Sequence, residues 1–157
     1  MTLTTPRQVA VSALSGALFA GVLLAVFDLT NSFAPVVPWS VPGVLVAMAA
    51  GAWVYARGLP ARLEDGTLSS LEAVRALMVA KSMVMTGAVL AGGHAVYVGR
   101  FIGAVAAEQP AARALHGAGT IVAALLLSLA GWTLEKACMI SVDDDSDEGG
   151  APAGDPA

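Results

Sequence analysis

The chain has little charge and almost no cysteine. Only 13% of its 157 residues are Asp, Glu, Lys or Arg, against roughly 25% in a soluble domain. With 57% hydrophobic residues and a mean hydropathy of +0.74, that balance marks a membrane protein of one compact domain. It leaves no room for a large soluble module beside it. Cys138 is the single cysteine, which excludes an internal disulfide and a cysteine metal cluster. Paired carboxylates, a nucleophile elbow, a phosphate loop and a zinc motif are all missing, so neither enzymatic activity nor a cofactor is expected. No basic patch with interleaved aromatics is present, so nucleic acid is not an expected partner. The net charge of −4 belongs to the C-terminal tail, because six of the twelve acids lie between Asp143 and Asp155.

What the chain does have is apolar length. Four runs, at 9–28, 41–57, 76–99 and 116–135, approach or reach the roughly 20 residues that cross a hydrocarbon core of about 30 Å. The spacing predicts an all-α membrane protein, a bundle of four transmembrane helices over 1–140. The acidic segment 141–157, rich in Gly and Pro, is expected to be a disordered cytoplasmic tail. The first run competes with a cleaved signal peptide, but it exceeds the usual apolar region of about 7–15 residues, so an uncleaved anchor is favoured.

The stretch 69–99 organises the rest, and everything else is expected to pack around it. Ser69 with Glu72 three residues on is a capping box. Glu72 and Arg75 can pair on one face. Gly58 and Pro60 act as breakers after the second run, and Phe101 to Val105 either continues the third helix or lies along the interface. Trp39, Trp53, Tyr55 and Trp132 fall where aromatic belts sit. With the N-terminus inside, Arg7, Arg57, Arg62, Arg75, Lys81 and Lys136 are inside, and Arg100 and Arg113 outside. The six-to-two bias places both termini in the cytoplasm.

Small residues recur every four positions as Ser12, Gly16 and Ala20, and again as Gly43, Ala47 and Gly51, ridges that let helices approach. At about 100° per residue, Lys81 shares a face with Ala88, Gly92, Ala95 and Gly99, and Glu135 with Ser128, Ala124, Gly131 and Gly117. One antiparallel register then sets Lys81 opposite Glu135, Ala88 opposite Ser128, Gly92 opposite Ala124 and Gly99 opposite Gly117. Lys81 and Glu135 are thus a candidate ion pair, structural in the first instance, with snorkelling as the alternative for the lysine. His94 is the candidate intramembrane polar residue; packing is the plain reading and a proton or ligand role the sharper one. A lone histidine makes no metal site. His116 is expected at the interface, Asp28 beside Arg100 or Arg113 or simply wet, Cys138 inert, and Met78, Met83 and Met85 in helix packing.

Three segments carry a resemblance: Pro38-Trp39-Ser40-Val41-Pro42, Ala73-Val74-Arg75-Ala76-Leu77 with Ala80-Lys81-Ser82, and Trp132-Thr133-Leu134-Glu135-Lys136-Ala137-Cys138. Over roughly 38–138 the chain resembles an uncharacterised actinobacterial family of small four-helix membrane proteins, a domain of unknown function. The resemblance implies a bacterial inner-membrane location and no known activity. It also implies a bulkier aromatic where His94 stands, so His94 inherits no family role.

The expected function is a non-enzymatic accessory or scaffold subunit that binds another membrane protein within the lipid bilayer. The alternative is a small transporter or channel made of copies of itself, for which Thr86, His94, Ser128 and Ser15 are the polar candidates. An intramembrane enzyme ranks last for want of a catalytic set.

Overall fold

Thr5 and Gln8 start the first helix. The Thr5 hydroxyl accepts the Gln8 N–H, the Gln8 side chain accepts the Thr5 N–H, and Pro6 occupies a position with no N–H to satisfy. The computed structural model describes residues 3–32, 35–102 and 108–148. They form α1 (Pro6–Leu29), α2 (Ser40–Glu64), α3 (Ser70–Ile102) and α4 (Glu108–Glu148), with no strand among the described residues. Each helix contains a stretch long and apolar enough to cross a membrane. The segment 103–107, where a continued third helix or an interfacial piece is expected, and 149–157 of the tail lie outside the described residues, as do 33–34.

Two helices outrun their sequence limits. α2 passes through Gly58 and Pro60 to Glu64 rather than breaking after 57. Leu59, 1% exposed, explains this, because it packs with Ala76, Leu77 and Cys138. Burying a leucine gains about 1.5–3 kcal/mol, which offsets much of the roughly 3 kcal/mol cost of an interior proline. α4 continues as helix from Ser141 to Glu148, where disorder was expected. Extending a formed helix is cheap compared with nucleating one. Gly66, at φ +64°, turns the chain between α2 and α3, a left-handed conformation that suits glycine.

α3 packs between α1 and α4, and α4 packs between α3 and α2. The spatial order is therefore α1, α3, α4, α2. α1 and α4 pack directly on α3 as expected, whereas α2 lies chiefly against α4 and reaches α3 through side chains, among them Leu59 on Leu77 and Arg62 on Glu72. Thr4, Lys81 and Glu135 mark the proximal end of the molecule, and Asp28, Arg100 and Tyr97 the distal end.

The buried clusters belong to α2, α3 and α4. One joins Leu45 and Ala49 to Met83 and to Ala124 and Leu127; the other joins Ala56 and Leu59 to Leu77, Ala80 and Leu134. α1 buries only Gly16 and leaves Leu14, Leu18, Phe19 and Val22 exposed. An apolar surface of that kind suits lipid.

Close approach of the backbones explains the contacts of α1 and of α3 with α4. A methyl at Gly16 would overlap the Val89 carbonyl, and one at Gly92 would overlap the Ala13 carbonyl. Ser12 reaches across to Met85, its hydroxyl 3.1 Å from the sulfur. On the other side of α3, a methyl at Gly87 would overlap Ser128 Oγ, and one at Gly131 would sit 2.8 Å from the Ala80 carbonyl oxygen. Small residues at such crossings let helices pack through backbone contact.

Candidate functional site

The polar chemistry inside the bundle is concentrated at the proximal end. Lys81 Nζ lies 2.6 Å from Glu135 Oε1, and the same oxygen accepts the Thr4 backbone N–H at 2.8 Å. The Glu135 side chain is fully buried, whereas Lys81 remains 37% exposed. One carboxylate thus ties the start of α1 to α3 and α4. Glu135 Oε2 accepts no hydrogen bond among the described residues. Cys138, one turn on, is fully buried, an environment that disfavours thiolate chemistry. A lone buried carboxylate balanced by an ammonium is a clamp, and leaving its partner uncompensated is what would be costly. Among the described residues, no three His, Cys, Asp or Glu side chains are grouped to hold a metal.

A second polar group lies nearby on α2 and α3. Glu72 Oε1 accepts from Tyr55 at 2.8 Å and from Arg62 at 2.7 Å, while Arg62 Nη2 reaches Oε2 at 3.2 Å. Ser69 Oγ accepts the Glu72 N–H at 3.2 Å, so the N-terminal cap of α3 forms through the serine. The Glu72 carboxylate turns to Arg62 and Tyr55 rather than to Arg75. The bidentate fork and the tight turn at Gly66 make Arg62 the better placed cation.

The register of α3 on α4 differs from the sequence expectation by a rotation. The α4 face is as read: Gly117, Ala124, Ser128 and Gly131 all point at α3. The α3 face that meets them is Ala80, Val84 and Gly87, with Val98 and Tyr97 over Gly117. It lies one residue, about 100°, from Lys81, Ala88, Gly92 and Gly99. Gly87 rather than Ala88 opposes Ser128, whose hydroxyl donates to the Val84 carbonyl at 3.0 Å. Gly92 opposes Ala13 of α1 instead of Ala124, and a methyl at Gly99 meets nothing within 4 Å. Ala88 itself is buried. The long Lys81 side chain reaches Glu135 from the flank, so the ion pair does not set the rotation of its helix.

His94 lines a cleft between α1 and α3, together with Phe19, Leu23 and Tyr97. Its Nδ1 donates to the Leu90 carbonyl at 2.9 Å. At the distal end, Tyr97 Oη donates to the Pro35 carbonyl at 3.0 Å and His116 Nδ1 to the Val37 carbonyl at 2.8 Å. Trp39 lies against the His116 ring at 4.8 Å. These side chains fasten the α1–α2 connection onto α3 and α4. Sequence reasoning missed this fastening, and the only available signal was two aromatic donors near the ends of apolar runs. Asp28 and Arg100 approach to 3.5 Å with both side chains exposed, a contact worth about 0–1 kcal/mol.

The described residues form an all-α protein whose four helices are each long and apolar enough to cross a membrane, consistent with a multi-pass membrane protein. A family model described as "Protein of unknown function (DUF3180)" matches residues 9–141. The match covers most of the chain and includes part of every helix, and the chain belongs to this family. Comparison with curated proteins and with solved structures finds no match.

Proposed function

We propose that the chain is a non-enzymatic accessory or scaffold subunit of a bacterial, by resemblance actinobacterial, inner membrane. It crosses the bilayer four times with both termini in the cytoplasm, the orientation favoured by its basic residues. The observation that carries the reading is the open ridge on α2. Gly43, Ala47 and Gly51 are exposed, and a methyl at either glycine meets nothing within 4 Å. That ridge is a helix-docking surface for another membrane protein.

The polar side chains along the middle of the helices favour this over transport. Ser128 and His94 bond to backbone carbonyls, Ser15 donates to Ser12 O at 2.8 Å, and Thr86 faces outward. They point to different sides rather than along one path.

The test is purification of the tagged full-length protein from its own membranes in mild detergent. The wild type is expected to bring down one other membrane protein in stoichiometric amount. The Gly43→Leu/Gly51→Leu variant should lose at least about nine-tenths of it, the equivalent of about 1.4 kcal/mol, while eluting as the same monodisperse species. A wild type that purifies only as an assembly of its own copies, and carries solute across liposomes, would contradict the proposal.

A further inference from the structure

We propose that the groove between α2 and α4 is a binding site for an anionic phospholipid of the cytoplasmic leaflet. This goes beyond the accessory role and rests only on the bilayer placement of the helices. The groove has a volume of about 240 Å³ and is almost wholly apolar. Val46, Ala49 and Trp53 line it from α2, and Leu126, Leu129 and Thr133 from α4. It opens outward, with Val46, Trp53, Leu126 and Leu129 all at least 41% exposed, so lipid chains reach it directly.

An apolar groove alone would take any acyl chain. The cations at its proximal mouth make it selective. α2 and α4 run in the same direction, and Trp53 and Thr133 both lie toward the proximal end of the groove. Arg57 follows Trp53 by four residues and Lys136 follows Thr133 by three. At about 1.5 Å per residue, the two cations lie within about 2 Å of the same depth. At about 100° per residue, Arg57 falls on the groove face of α2, and Lys136 falls beside Leu129 on α4.

Each cation is already seated on a tryptophan. The Arg57 guanidinium lies 4.8 Å above the Trp53 ring centre, and Lys136 Nζ lies 3.8 Å above that of Trp132. Stacking holds the guanidinium by its face and leaves its in-plane N–H donors for a phosphate. Neither cation has a carboxylate partner among the described residues. The ion pairs there are Arg62–Glu72, Lys81–Glu135 and Arg100–Asp28. Two uncompensated cations on indole rings, at headgroup depth above an acyl-sized groove, match an anionic diacyl lipid. The open ridge of Gly43, Ala47 and Gly51 lies about 100° round α2 from the groove, so lipid and partner helix do not compete for one surface.

The test is native mass spectrometry of the full-length protein in detergent, titrated with phosphatidylglycerol or with phosphatidylcholine of the same acyl chains. The wild type should retain phosphatidylglycerol about tenfold more tightly, given the attraction of anionic lipid for basic residues near the surface. Arg57→Gln/Lys136→Gln should abolish the preference while leaving helicity and elution unchanged, since both side chains are exposed. Ala50→Leu, which narrows the groove, should weaken both lipids by several-fold. Inorganic phosphate at millimolar concentration should not displace the lipid. Equal retention of the two lipids by the wild type, or an intact preference in the double variant, would overturn the proposal. Displacement by phosphate alone would also overturn it, because the acyl groove would then contribute nothing. Because the protein is tested alone, loss of a partner subunit leaves every one of these readings unchanged.

Discussion

The ridges on α1 and on α2 look alike in sequence, small residues four apart along apolar runs, and they end in opposite situations. On α1, Gly16 is buried against the Val89 backbone, Ser12 reaches Met85, and Ala20 lies beside Gly93. On α2, Gly43 and Gly51 have open space around them, and a different face, with Leu45, Ala49, Ala56 and Leu59, does the packing. The difference lies in the facing helix. α3 presents Gly92 and Gly93 at the matching heights, and Gly92 sits under Ala13 much as Gly16 sits under Val89. α4 meets α2 on another face, with Ala123, Leu127 and Ala130 against Leu45 and Ala49, and presents nothing to Gly43 or Gly51. A small-residue ridge is therefore a capacity for close contact, and a second ridge must be present to use it.

The closed side of the molecule should also be the fragile side. Glu135→Ala removes the acceptor shared by Lys81 and the Thr4 N–H. Breaking such a buried pair costs about 3–5 kcal/mol, and the partial exposure of Lys81 argues for the low end. Thermal unfolding of the detergent-solubilised protein should show that loss. A smaller, still clear effect is expected at the seam of α3 and α4. Gly87→Ala should cost about 1–3 kcal/mol by overpacking. Adding Ser128→Ala should not restore it, because the Ala124 carbonyl also blocks the new methyl. Full recovery in the double variant would mean that only side chains meet there.

On the α2 side, Arg62→Gln should matter little. Its pair with Glu72 is 40% and 36% exposed, and exposed pairs are worth about 0–1 kcal/mol. A loss as large as that of Glu135→Ala would show that the two ion pairs do the same job. The rotation of α3 can be read separately, with Cys138 replaced by Ser. In membranes, Val84→Cys with Ser128→Cys should cross-link faster than Ala88→Cys with Ser128→Cys.

Much of this arrangement was legible from spacing. The positions of the four helices follow from apolar runs, and the α4 face follows from Gly117, Ala124, Ser128 and Gly131. The rotation of α3 is not legible from Lys81. A lysine has enough reach to meet Glu135 from a flank, whereas Gly87 has none, so the glycine was the better pointer. Gly92 serves the contact with α1, which also needs a glycine on α3, and periodicity alone does not say which neighbour a glycine meets. The length of α2 was hidden because Gly58 and Pro60 speak only for local preference, and the burial of Leu59 overrides them. The fastening of Pro35 and Val37 by Tyr97 and His116 joins residues far apart in the chain, which no periodicity reports.

The contrast between the two ridges is tested most directly by placing the same side chain on each. Gly16→Leu and Gly51→Leu should be compared by thermal unfolding in one detergent. Gly16→Leu is expected to lose about 3 kcal/mol or more, or to fail to fold, because its side chain has no space against α3. Gly51→Leu should stay within about 0.5 kcal/mol of the wild type, as an exposed substitution does. Equal losses at the two positions would contradict the account, because the ridge on α2 would then be packed within the chain and not open.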